Sequence, residues 1–391
     1  MTPSRGAAAG RVRPLVDLIV PVGSVALLVL MIGLVLASAG KTLGYDYTCY
    51  ENAARHVVDG KPIYDNAYSI NVGDCPGTYT YPPAFAVALV PWLMFGAAAA
   101  GAWCVAMAAC FLAGVAVLPV RRDIRWLVVI VAALDWPLLY AVKLGQVEPI
   151  LFLGFAAAWR WLDRPLVVGL VTALGGLMKV QPGLLGVWAL GTRRYRAVAV
   201  AAAVGLAVAG AATLFTGLGA WQSYADLLGG LSRSLSLAHN FAPGAVAHLA
   251  GAPDGLATGL QAASAIAALC ALAAAWRWAS PVAFLQVTIL VSQLVSAPLR
   301  DHYMVLLLLP IAWLVGRGRK WAALIPLLGW ISLFAFVDGE APSWPAAASV
   351  PLTFFGVLTL VLWEARRERR ETKTADTAEA GETARPRRSI G

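Results

Sequence analysis

Residues 14–38 read PLVDLIVPVGSVALLVLMIGLVLAS, and this stretch decides the fold. It interrupts its apolar run with one acid, Asp17, and exceeds the roughly 20 residues a helix needs to cross the hydrocarbon layer. In lipid, backbone N–H and C=O groups are satisfied only within helices or a closed barrel. The alternation of barrel strands is absent, and other runs, such as Ala197 to Gly217, have the same helical length. The chain is therefore expected to be an all-α polytopic membrane protein.

Composition agrees. Of 391 residues, 60% are hydrophobic and 13% charged, against about 25% charged in soluble domains. The net charge of +9 is not a nucleic-acid signature, because the basic residues punctuate apolar runs. Arg11 and Arg13, Arg121, Arg122 and Arg125, Arg193, Arg194 and Arg196, and Arg366 to Arg370 are such clusters. The positive-inside rule puts them in the cytoplasm and leaves the loops at 40–81, 217–254, 298–302 and 338–346 outside. The first run is too long for a signal peptide and lacks a small-residue cleavage site, so it reads as a retained helix.

Twelve apolar segments are expected, at 15–39, 97–119, 126–142, 147–160, 165–179, 182–192, 197–216, 256–279, 281–297, 303–316, 321–337 and 347–363. Those around Gln146 and Lys179 are short enough to be broken helices beside a polar cavity. Residues 82–95 read as a re-entrant or partial helix. Residues 1–14 and the basic tail at 364–391 are cytoplasmic in this scheme, and the tail, without apolar periodicity, reads as disordered.

Between the first two spans lies a polar island. Tyr47, Tyr50, Ala54, Val57 and Val58 follow helical spacing; Gly60 and Pro62 then stop the helix. This predicts a short amphipathic helix on the outer membrane surface. Trp221 to Leu237 suits a second interfacial helix, with His239 and Asn240 beyond it. Cys49 and Cys75 both fall in the island, where oxidation is possible, and a disulfide between them would staple it. Cys104, Cys110 and Cys270 sit in apolar runs as small hydrophobes.

Four places carry polar groups able to do chemistry. Asp46 opens the amphipathic helix; it suits an N-cap and equally a general base for a hydroxyl acceptor. Lys179 ends an apolar run just before Val180-Gln181-Pro182. An ammonium there either snorkels or faces a polar cavity and suits a phosphate. Gln146 and Glu148 stand at a helix turn before Pro149, where Glu148 also favours the helix N-terminus. Arg300-Asp301-His302-Tyr303 concentrates polar groups between two apolar runs. Arg300 fits bidentate phosphate contact, although it can also pair with Asp301 at a surface. His302 can donate to a phosphate or move a proton. Metal-ligand clusters, a P-loop and a nucleophile elbow are absent, and no stretch suits a nucleotide-binding sheet. A transferase built this way must take its donor from the membrane.

Taken in order, these islands resemble glycosyltransferase family 87, the polyprenyl-phosphate-mannose-dependent α-mannosyltransferases of the GT-C superfamily. The resemblance runs over about residues 15–320. It rests on Asp46-Tyr47 with Tyr50, Ala53-Ala54, Gly60 and Pro62-Ile63-Tyr64, and on Thr80-Tyr81-Pro82-Pro83. It continues with Gly145-Gln146, with Lys179 to Pro182, and with Ser296-Ala297-Pro298 followed by His302. Glu148 stands where the family's motif carries Asn.

The resemblance implies a GT-C-like membrane fold and a polyprenyl-phosphate sugar donor, with mannose ahead of arabinose or glucose. It implies transfer to a hydroxyl of an envelope glycolipid or glycan, with inversion at the anomeric carbon. Asp46 would be the base, and Lys179, Arg300 and His302 the donor-phosphate groups. Tyr47, Tyr81, Gln146 and Glu148 would contact substrate. No cofactor or metal is expected, and the site would lie on the outer face of a plasma membrane. A multi-helix transporter or lipid flippase also uses broken helices and buried charge, and a structural subunit of an envelope complex would need no catalytic acid.

Overall fold

The computed structural model describes residues 6–64, 79–233, 235–237, 239–296, 298–337 and 340–383. Among these the regular structure is entirely helical. The first helix, α1 (Gly6–Ser38), is followed by the short α2 (Tyr45–Asp59). Next, α3 (Pro83–Leu89) runs through a 3-10 stretch, Val90–Ala98, into α4 (Ala99–Val117). Residues 82–95, expected as a re-entrant or partial helix, run into α4 as part of one apolar segment, Pro83–Val117. Gly96, at φ 51°, absorbs the kink, and Trp92 Nε1 donates across it to the Ala99 carbonyl at 3.1 Å.

The middle of the chain is built from shorter helices. These are α5 (Arg122–Ala133), α6 (Trp136–Leu144), α7 (Glu148–Arg160), α8 (Pro165–Met178) and α9 (Leu185–Gly191). Between α5 and α6 the chain bends by 68°. Asp135, fully buried in the bend, caps α6 by accepting from the Leu138 N–H at 3.2 Å. A long helix follows, α10 (Tyr195–Arg233), kinked at Gly217, close to the expected boundary between a span and an interfacial helix. Beyond it come α11 (Pro243–Leu249), α12 (Asp254–Trp278), α13 (Pro281–Leu294), α14 (Leu308–Gly316), α15 (Gly329–Ser332) and α16 (Trp344–Thr383).

The chain is embedded in the membrane, but not through twelve long helices. Among the described residues five helices are long and apolar enough to cross, or six if the bent α5–α6 pair is one span. The other expected spans form shorter pieces. The 14 residues of α13 rise only about 21 Å at ~1.5 Å per residue, against a core of about 30 Å. From Ala283 to Leu294 every residue of α13 is buried. Its backbone therefore faces protein rather than lipid, where partial helices are tolerated.

The last helix extends into the segment expected as a tail. It continues to Thr383. Glu364, 2% exposed, accepts from Arg319 Nε at 2.9 Å and lies 3.6 Å from Arg317 Nε. One turn on, Glu368 accepts from Ser280 Oγ at 2.9 Å, and Arg367 pairs with Glu371 at 2.8 Å. These contacts, with helix-forming Ala, Glu, Arg and Lys residues, extend the helix past its apolar part. Residues 384–391 lie outside the described residues.

Candidate active site

Two left-handed glycines set up the site. Gly44, at φ 66°, is the N-cap of α2, and Gly145, at φ 74°, ends α6. The Gly44 N–H donates to the Lys143 carbonyl at 2.8 Å, and Trp103 Nε1 donates to the Gly145 carbonyl at 2.7 Å. A Cβ at Gly145 would lie 2.9 Å from Tyr47 Cβ and 3.0 Å from Trp103 Cδ1. Only glycine suits both this backbone and this approach.

The junction brings Asp46 to Gln146. Asp46 does not cap α2; the cap is Gly44, and Asp46 lies in the first turn. Its Oδ2 accepts from Gln146 Nε2 instead. On the other side of the amide, Oε1 accepts from Tyr81 Oη at 2.8 Å and from Tyr50 Oη at 3.1 Å. Burial pushes the Asp46 carboxyl above the ordinary carboxylate range. His302, the Gln146 hydrogen bond and Arg300 pull it partly back, and Glu148 pushes it further up.

A second cluster forms where α7, α8 and the segment after α13 converge. Glu148 opens α7 and is fully buried. Lys179 follows the last turn of α8 in an extended conformation (φ −152°), so its side chain turns inward and pairs with Glu148 Oε1. Its Nζ also sits 3.9 Å from the centre of the Tyr303 ring, a cation–π contact. His302 Nε2 is 3.8 Å from the same Glu148 oxygen, and His302 Nδ1 is 3.5 Å from Asp301 Oδ1. Asp301 is no surface partner for Arg300: it is 4% exposed and accepts from the His302 backbone N–H at 2.9 Å.

Both clusters open on one cavity of about 980 Å³. Asp46, Tyr81, Gln146, Lys179, Arg300 and His302 all line it. Its apolar wall includes Leu184 and Val187 near α9 and Leu228 and Leu231 on α10. Two of the expected substrate contacts do not reach it. Tyr47 points into the protein, its ring 5.6 Å from that of Trp103, and Glu148 lies behind Lys179. Cys49 is buried and disulfide-bonded, while Cys75, its expected partner, lies outside the described residues.

The sequence reading missed Tyr45, Tyr140, Tyr224 and His239 as cavity residues. Tyr45 had a usable signal, since it sits beside Asp46 at the start of an amphipathic helix. His239 stands at φ 54° in a left-handed turn, which nothing in its sequence neighbourhood announces. Among the described residues no group of three His, Cys, Asp or Glu side chains could hold a metal ion. The arrangement offers one carboxylate on a cavity wall, cationic and imidazole groups across from it, and apolar surface beside them.

Comparison with known proteins places this geometry. The profile of glycosyltransferase family 87 matches residues 79–298, more than half of the chain. The matched region holds Tyr81, Gln146, Glu148 and Lys179, whereas Asp46, Arg300 and His302 lie outside it. A "polyprenol-phosphate-mannose-dependent alpha-(1-2)-phosphatidylinositol pentamannoside mannosyltransferase" of Mycolicibacterium smegmatis is 30% identical over 69% of this chain and 64% of its own. The chain thus spans a little less than two thirds of that relative. A protein of the same name from Mycobacterium tuberculosis is 29% identical over 77% of this chain and 68% of its own. No solved structure matches the chain significantly. With the matched profile spanning the cavity's Tyr81, Gln146 and Lys179, the chain belongs to glycosyltransferase family 87.

Proposed function

We propose that the protein is a membrane mannosyltransferase that takes mannose from a polyprenyl-phosphate donor and transfers it to a hydroxyl of an envelope glycolipid or glycan. The observation that carries this reading is the placement of Asp46 on the same cavity as Arg300, His302 and Lys179. The names of the two mycobacterial relatives support the donor and the glycolipid class of acceptor.

In this mechanism Asp46 takes the proton of the acceptor hydroxyl. The acceptor oxygen forms a bond to the anomeric carbon as the bond from that carbon to the phosphate oxygen breaks. The electron pair leaves with polyprenyl phosphate, and the anomeric carbon inverts. Arg300 and His302 stabilise the charge that grows on the leaving phosphate. Lys179, already paired with Glu148, contributes through that pair rather than as an isolated cation. Tyr81 borders the sugar, and the apolar surface of Leu184, Val187, Leu228 and Leu231 accepts the first units of the lipid tail.

The short buried helices, counted with the long ones, make a GT-C-like domain of about twelve apolar segments over residues 15–363, with the loop at 40–81 and the cavity on the outer face of the plasma membrane. Residues 1–14 and the tail are cytoplasmic.

The test supplies purified protein with radiolabelled polyprenyl-phosphate mannose and an envelope lipid extract. A labelled glycolipid is expected from the wild type, with kcat lower by about 10²–10⁴-fold in Asp46→Asn, the range of general-base catalysis. Near-normal turnover in that variant would remove Asp46 as the base. Transport of the lipid without a covalent product would favour a transporter.

A further inference from the structure

Gln146 stands where a sugar-binding amide would stand, on the cavity beside Asp46. Its hydrogen-bonding capacity is largely spent elsewhere. An amide oxygen has two acceptor sites and an amide nitrogen two N–H donors. Tyr81 Oη donates to the oxygen at 2.8 Å, and Tyr50 Oη shares its single proton between Tyr81 Oη at 2.7 Å and the same amide oxygen at 3.1 Å. One N–H is committed to Asp46.

Turning the amide over would set its oxygen against the carboxylate, two acceptors face to face. It would also strip Tyr81 of its acceptor and leave Tyr50 with Tyr81 Oη alone. Tyr50 is 1%, and Gln146 and Tyr81 6% exposed, so water does not readily replace what the flip would lose. Tyr50 and Tyr81 therefore hold the amide in the one sense that presents N–H to the carboxylate.

We propose that Gln146 is a positioning residue for Asp46 rather than a ligand of the sugar, with Tyr50 and Tyr81 as the clamp that orients it. The proposal rests on the reading of Asp46 as the base. An N–H bond to the ionised carboxyl favours the ionised form and fixes the direction in which its other oxygen faces the cavity.

The carboxyl has other neighbours. Tyr45 approaches from its own helix, Tyr140 from α6 and Glu148 from α7. Arg300 and His302 approach from the segment after α13. None of these takes the Gln146 N–H bond, so changing Gln146 alters one contact of Asp46 and leaves the rest.

The test follows the infrared C=O band of protonated Asp46, identified by its loss in Asp46→Asn, across pH in full-length protein in lipid nanodiscs. Gln146→Glu keeps the shape and the acceptor for both phenols but puts a carboxylate against Asp46. Gln146→Met keeps the bulk and deletes every polar contact. Either variant is expected to move the band's midpoint upward, by about one pH unit or more in Gln146→Glu. The Tyr50→Phe, Tyr81→Phe double variant is expected to move it in the same direction by less.

Kinetically, kcat falls in these variants while KM for donor and acceptor stays within about two-fold. An unmoved midpoint in both Gln146 variants overturns the proposal, as does a loss confined to KM. Because the infrared titration needs no substrate, a shifted midpoint together with a wild type that transfers no sugar would retain the positioning role and remove the transferase reading.

Discussion

The backbone N–H of Gly44 donates to the carbonyl of Lys143 at 2.8 Å, tying the start of the Asp46 helix to the end of the helix that leads into Gln146. Asp46 and Gln146 are thereby registered by main chain rather than by flexible side chains. Sites held on secondary-structure elements keep tighter geometry than sites on loops.

A substitution at Gly145 tests that registration. In Gly145→Ala the left-handed backbone alone costs about 1–2 kcal/mol, and the new methyl meets Tyr47 Cβ at 2.9 Å. We expect a lower melting temperature in detergent and a reduced kcat, because relief of the clash displaces Gln146. A variant with wild-type melting and turnover would show that the junction tolerates a side chain and does not set the site.

The pH profile has a definite sign. Burial holds Asp46 above the ordinary carboxylate value of about 4. As the base works ionised, kcat/KM should fall as pH drops through the raised value. The acid limb should therefore lie higher than for an exposed aspartate. The same shift makes the fold favour the protonated acid, so this group's stabilising contribution is present at low pH and lost as pH rises through the folded value. Initial rates from about pH 4 to 8, with donor at saturating and at low concentration, check the first statement. A limb at the ordinary value would place Asp46 in open water.

Lys179 and Glu148 are expected to behave as a unit. Lys179→Met leaves Glu148 buried without its partner, a change that typically costs about 3–5 kcal/mol. The double variant Lys179→Met, Glu148→Gln removes both charges and should recover most of that loss. Thermal unfolding of the four proteins gives the coupling. Additive single effects would mean that the pair does not form in the membrane. Donor KM should rise in the single lysine variant.

The contacts of Glu364 with Arg319 and Arg317 make a separate prediction. Glu364→Gln weakens the charged hydrogen bond to Arg319, a contact of about 1.5–3 kcal/mol. Trypsin is then expected to cut faster at Arg366, Arg367, Arg369 and Arg370, with sugar transfer little changed. Unaltered cleavage would show that α16 is held by its apolar contacts alone.

Much of this protein was readable in its sequence. Hydropathy gave the helical membrane class, and the spacing of Tyr47, Tyr50 and Ala54 gave α2. The polar islands held Asp46, Gln146, Lys179 and His302, which line one cavity. Other features were beyond reach for physical reasons. Which face of α2 meets the cavity depends on the bundle around it, so Tyr47 was expected at the substrate and Tyr45 was not. Glu148 and Lys179 are 31 positions apart, and no local pattern links them. The number of full crossings is not legible for a related reason: an apolar run of 14 residues reads alike whether it meets lipid or, as in α13, only protein.

The last helix has a practical side. It runs from Thr372, the end of its candidate span, to Thr383, a reach of about 16 Å at ~1.5 Å per residue, and it is anchored at its base by Glu364. A small rigid domain grafted in helical phase onto Thr383 would inherit the orientation of the whole bundle. For a protein of 41.1 kDa with little mass outside its apolar segments, that rod supplies the alignment handle an electron-microscopy image of the donor-bound cavity would need.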